Sequence, residues 1–176
     1  MRMRNAFTLI ELLIVVAIIA ILALIAVPNF LEAQVRAKVS RAYADIRNQR
    51  VALEAYRVDN PAYPCSINQP YPPRLMELTT PIPYITTCPY DPFNTRDGQP
   101  FYYHYVSATD ELDWLKHNWR TYMYGVEHAD DPNYPFPSAI QWHIRSLGPN
   151  CQLDHGARYD PTNGTVSLGD ICVWGP

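Results

Sequence analysis

The chain has 176 residues, 48% of them hydrophobic, with 14 Lys/Arg against 17 Asp/Glu. That length allows one domain with an appendage. Residues 61–176 hold six Lys/Arg and twelve Asp/Glu, a net of −6, so no nucleic-acid partner is expected: backbone binding needs clustered positive charge.

The first segment, "MRMRNA" at 1–6, places Arg2 and Arg4 ahead of an apolar run. Every side chain from Leu12 to Val27 is apolar. As a helix, residues 7–30 span about 36 Å at about 1.5 Å per residue, enough to cross a hydrocarbon core of about 30 Å. Basic residues stay cytoplasmic, so the chain runs from inside to outside here. A secretory signal peptide fits badly, because its apolar region is shorter and no small-x-small site lies near Val27 to Phe30. Glu11 is the anomaly. A carboxylate facing lipid costs about 2.5–3.5 kcal/mol or more, so it calls for a partner.

The helical pattern continues past Pro28. Apolar residues recur at Leu31, Val35, Val39, Ala42, Ile46, Leu53 and Tyr56, with Gln49 filling the gap, while charged residues occupy much of the other face. This is one face of an amphipathic helix. The pattern predicts a single helix over residues 7 to about 58, bent or loosened at Pro28. Residues 7–30 are its transmembrane half and 31–60 its amphipathic continuation, which "DNP" at 59–61 stops.

The remainder, 61–176, reads as an extracytoplasmic globular head. Sixteen of the 17 prolines lie at or beyond Pro61. Strand-like runs rich in aromatic and β-branched residues cover Phe101–Val106, Thr121–Tyr124, Ala139–Leu147 and Thr165–Trp174. "SATDELDWLKHNW", 107–119, reads as a short helix with acids in its first turn. Asn163-Gly164 marks a tight turn. The expected fold is α+β, a long N-terminal helix packed on a small antiparallel sheet of three or four strands.

Cys65, Cys88, Cys151 and Cys172 all follow the apolar run and so lie on one side of the membrane. An even count in a translocated domain favours two disulfides. The pairing 65–88 with 151–172 is one of three that the sequence leaves open, and four buried thiols are the alternative. The histidines show no metal-ligand spacing, and no P-loop, G-x-S-x-G or G-x-G-x-x-G occurs. The chain is expected to be no enzyme. The many tyrosines and four tryptophans read as core more readily than as a sugar-binding face.

The basic leader, the small Ala6, then F-T-L-I-E and about twenty apolar residues resemble the start of type IV pilins and pseudopilins. Farther on, "PYITTCPYDPFNTRDGQPFYYHY", "SLGPN" at 146–150 and "GDICVW" are similar, in the same order, to stretches of the major pseudopilins of type II secretion. The resemblance implies cleavage between Ala6 and Phe7 by prepilin peptidase, then N-methylation of Phe7. It also implies helix loosening at Pro28 and assembly through Phe7 and Glu11. Alanine at position 6 departs from the family's usual glycine. In a bundle of stems staggered by about one turn, the Phe7 amine of one copy would meet Glu11 of another. Such a pair sets register more than it adds stability.

The family's major pseudopilins also imply calcium in the loop before the last strand. The oxygen donors here would be Leu147 (carbonyl), Asn150, Asp154, Asp160, Asn163 and Asp170, for an ion that takes six to eight. A Cys151–Cys172 disulfide would fix the same loop by other means. The function implied is that of a self-polymerising pseudopilus subunit in the inner membrane, single-pass with its head in the periplasm. Its partners would be minor pseudopilins, an inner-membrane platform and a secretin. The alternatives are a type IV pilus subunit, which would show filaments on the cell surface, and an anchored extracytoplasmic binding module or enzyme, which would persist as monomers.

Overall fold

The structure, a computed structural model, describes residues 8–65, 75–96, 98–107, 140–152, 154, 158–162, 167 and 169–176. The expected leader, the strand Thr121–Tyr124 and the Asn163-Gly164 turn lie outside these residues, as does the helix expected over 107–119 apart from Ser107, which ends a strand.

One α-helix, α1, runs from Leu9 to Asp59 without interruption. Its 51 residues extend about 76 Å at about 1.5 Å each. Pro28 lies inside it, where its missing N–H leaves the Leu24 carbonyl without the usual helical partner. The helix ends where expected. Asn60 turns extended, its backbone N–H and side-chain amide both donate to the Tyr56 carbonyl (3.0 and 2.9 Å), and Pro61 follows.

The second half of α1 buries Val39, Ala42, Ile46, Gln49, Ala52 and Leu53, with Val35 and Tyr56 packed at the margins. That is the predicted stripe from Val35 onward, with Ala52 added. Leu31 alone departs from it and is exposed, because it lies a turn beyond the reach of the head.

Among the described residues, the head presents two small antiparallel sheets. Strands β1 (Tyr90–Arg96) and β2 (Gln99–Tyr102) form a hairpin closed at Gly98, whose φ of 76° suits glycine. Its ladder slips between Asp91 and Thr95, around Pro92, which has no N–H to donate. Strands β3 (His104–Ser107), β4 (Trp142–Ser146) and β5 (Ile171–Gly175) form the second sheet, with β4 in the middle. Trp142 stands opposite both Ser107 and Gly175, and Arg145 opposite both His104 and Cys172.

Three expectations shift. The run Phe101–Val106 is two strands, broken at Tyr103, whose buried ring sends its hydroxyl to Asp45 on α1 (3.0 Å). Of the strand expected over Ala139–Leu147, Ile140, Gln141 and Leu147 fall outside the observed Trp142–Ser146, and of the last expected strand, Thr165–Trp174, Ser167, Gly169 and Asp170 precede the observed Ile171–Gly175. Strand β1 was not anticipated.

Alternation along β4 sends Trp142 and Ile144 toward α1, where they join Ile46, Leu53, Tyr63 and Tyr105 in the core. The helix also offers carboxylates to aromatic donors of the head. Glu54 accepts from the Trp142 indole (3.2 Å) and the Tyr63 hydroxyl (3.0 Å), and Asp59 from Tyr84 (2.9 Å). Tyr63, Tyr84, Tyr103 and Trp142 thus help to seat the head on the helix.

Candidate assembly site

The helix begins with a reciprocal cap. The Glu11 N–H donates to Thr8 Oγ1 (3.3 Å), while the Thr8 backbone N–H and hydroxyl donate to Glu11 Oε2 (2.9 and 2.6 Å). This satisfies amide groups that every helix start leaves unbonded. The sequence carries the signal, since T-L-I-E is the capping-box pattern Ser/Thr-x-x-Glu, but an expectation built on lipid burial passed over it. Both Thr8 bonds fall on Oε2. Ala6 and Phe7 lie outside the described residues.

Every residue from Thr8 to Leu31 is exposed, with sixteen large apolar side chains among them. Removing each from water is worth about 1.5–3 kcal/mol, tens of kcal/mol along the stem. The first charge after Glu11 is Glu32, paired with Arg36 one turn on. The described part of the stem, Leu9–Leu31, is therefore bare and has a surface suited to lipid or to other apolar helices.

In the head, the loop between β4 and β5 gathers several residues named as calcium donors. Gly148 and Gly169 touch, with φ of 71° and 121°, and a Cβ on Gly148 would lie 2.5 Å from the Gly169 carbonyl oxygen. Asp154 Oδ2 accepts from the Gly169 N–H (2.8 Å) and from the Asn150 side-chain amide. Asn150 Oδ1 accepts from the Gln152 N–H (3.2 Å). Asp170 Oδ1 accepts from the Asp154 N–H (3.3 Å), and its Oδ2 faces Arg145 Nη1 at 3.6 Å, both side chains being 1% exposed. Burial outweighs that guanidinium and lifts the Asp170 carboxyl to about 6.

Asp160 is not part of this group. Its carboxylate caps Thr162 through the backbone N–H (2.8 Å) and the hydroxyl (2.7 Å), which hold it below the ordinary range. Leu147 gives its N–H to Asp91 (3.1 Å), and Asn163 lies outside the described residues. Among the described residues, no three His, Cys, Asp or Glu side chains converge as a metal site. The described donors fit calcium poorly: Asp154 Oδ2, Asp170 Oδ1 and Asn150 Oδ1 accept from N–H groups, and the remaining Asp170 oxygen, Oδ2, has no hydrogen-bond donor and faces the buried guanidinium of Arg145.

Asp91, absent from every expectation, is the second anchor of this loop. Buried at the slip in β1, it accepts from Phe93 N–H (3.0 Å), Ser146 Oγ (2.6 Å) and Leu147 N–H, tying the hairpin to the end of β4. Burial raises its carboxyl above the usual value.

All four cysteines carry thiols in the structure. Cys88 donates to the Leu75 carbonyl (3.3 Å), and burial pushes its thiol up to about 11. Cys172 is pushed up to about 12, again chiefly by burial, whereas Cys151 sits exposed at a turn with φ of 55°. The thiols of Cys88 and Cys172 are thus poorly nucleophilic.

A family model of the prokaryotic N-terminal methylation motif matches residues 1–27. With a bare apolar helix carrying an α+β head, this defines a pilin-like, membrane-anchored subunit. The chain is 34% identical over 118 residues to the type II secretion system core protein G of Vibrio cholerae, covering 63% of this chain and 76% of that one. It therefore belongs to the type II secretion core protein G family. The protein of the same description from Pseudomonas aeruginosa is 44% identical over 63 residues, 36% of this chain and 44% of that one. The type IV wide pilus major component PilA4 of Thermus thermophilus is 51% identical over 63 residues, 35% and 48% of the two chains. The matched segment thus spans less than half of the Pseudomonas and Thermus relatives. No solved structure matches the chain.

Proposed function

We propose that this chain is the structural subunit of a type II secretion pseudopilus, and that it performs no chemistry of its own. Prepilin peptidase would cleave between Ala6 and Phe7 and methylate the new amine. The stem would wait in the inner membrane with the head in the periplasm. A cytoplasmic motor and membrane platform would then draw it into a filament that helps export folded proteins through a secretin, alongside minor pseudopilins.

The observation that carries this reading is the stem, apolar on every side and continuous with the helix that holds the head. A subunit leaving the bilayer must cover that surface again, and identical stems can do so. Thr8 uses only Oε2 of Glu11, and Oε1 would meet the Phe7 amine of a neighbouring copy.

The pilus alternative rests on the Thermus match and on one of 46% over 59 residues to the type IV major pilin of Myxococcus xanthus. Both span little more than the length of the helix. The Vibrio match covers 63% of the chain, so it extends past Asp59 into the head, and it favours secretion.

Intact mass of the membrane-extracted protein tests the processing step. The expected species has lost six residues, leaving 170 of the 176, and gained one methyl group. Hydrogens lost in pairs would report cysteine oxidation in the same spectrum. An unprocessed chain still carrying Met1 overturns the proposal.

A further inference from the structure

We infer that in this head a buried arginine does the work of a metal ion: the Arg145 guanidinium closes the loop between β4 and β5, and the head folds without calcium. The placement follows from the sheet. Arg145 lies opposite Cys172 in the β4–β5 ladder, so Asp170, two residues before Cys172, is its diagonal neighbour. The two side chains meet at 3.6 Å, both 1% exposed.

Around them the loop is drawn in by N–H donors. The Asp154 N–H reaches Asp170, the Gly169 N–H and Asn150 amide reach Asp154, and the Tyr159 N–H reaches the Asp170 carbonyl (3.0 Å). A divalent cation here would need the Asn150 amide reversed, the Gly169 N–H withdrawn and a permanent positive charge displaced. Calcium is bound by oxygen alone. The arginine supplies positive charge from within the chain, and a buried carboxylate left without it would be strongly destabilising.

The test uses the full-length chain in detergent. Thermal midpoints of the wild type are expected to coincide in excess calcium and in excess EGTA, and calorimetric titration with calcium should give no saturable heat. A midpoint that rises with calcium, as linkage requires of any ion bound to the folded state, overturns the inference.

Arg145→Met should lower the midpoint in both buffers, and adding Asp170→Leu to it should recover much of the loss, because no orphan charge remains. An unchanged midpoint in Arg145→Met would also overturn the inference. If that variant does not fold, the wild-type comparison still decides. These readings are made on single chains, so failure of filament growth would bear on the proposed function and not on this clip.

Discussion

Trp142, in the middle strand of the head, donates its indole N–H to Glu54 of the helix across 3.2 Å. Tyr63 donates to the other oxygen of the same carboxylate and packs edge-on against the Trp142 ring, with centroids 6.5 Å apart. One helical carboxylate thus seats two aromatic rings of the head. Glu54→Ala should cost about 1–3 kcal/mol, because the indole and phenol are left without their acceptor. Denaturant unfolding followed by tryptophan fluorescence measures it.

The buried stripe of α1 gives a sharper contrast. Leu53 is fully buried, whereas Val51, two residues away, is 64% exposed. Leu53→Ala should destabilise the head by about 2–5 kcal/mol, and Val51→Ala should stay within about 0.5 kcal/mol. Equal effects would mean that the stripe is misplaced.

That stripe shows what was legible in the sequence. Its spacing from Val35 to Tyr56 follows the helical period, so every buried position but Ala52, a small residue beside Leu53, could be named in advance. The hairpin could not be read the same way, since Asp91, Pro92 and Asn94 look like turn residues. The usable signal was Asp97-Gly98, the two-residue step between β1 and β2. The break at Tyr103 was hidden because its neighbours on both sides are equally strand-prone, and its bond to Asp45 on the helix joins residues far apart in the sequence. Arg145 and Asp170 are 25 residues apart in the sequence, and only the β4–β5 register brings them together.

His143 lies buried beside Arg145, and burial together with that guanidinium lowers its ionisation to about 3, from an ordinary 6.5. The unfolded chain therefore takes up a proton below pH 6.5 that the folded chain refuses until about pH 3. Its contribution is complete above pH 6.5 and falls by up to about 1.4 kcal/mol per pH unit on acidification through that window. Burial of Asp170 acts in the opposite sense between its ordinary 3.8 and about 6, favouring the fold at the acid end. His143→Gln should accordingly lose less stability than the wild type between pH 7 and pH 4, by denaturant midpoints at each pH. A parallel loss in both proteins would show that His143 does not titrate this way.

Thr8→Ala removes the hydroxyl from the reciprocal cap, leaving only the backbone bond to Glu11. Ser/Thr caps are typically worth about 1 kcal/mol. Increased hydrogen exchange at the first helical amides in detergent would register the loss, with the head amides unchanged. Thr8→Ser should behave as the wild type.

The central claim is that bare stems assemble with Glu11 set against a neighbour's amine. Filament yield from Glu11→Val, expressed with the secretion machinery and compared with wild type at equal membrane levels, tests it most directly. The account predicts a variant that is inserted and stable in the membrane yet forms few or no filaments. Filaments in normal yield from Glu11→Val would contradict it.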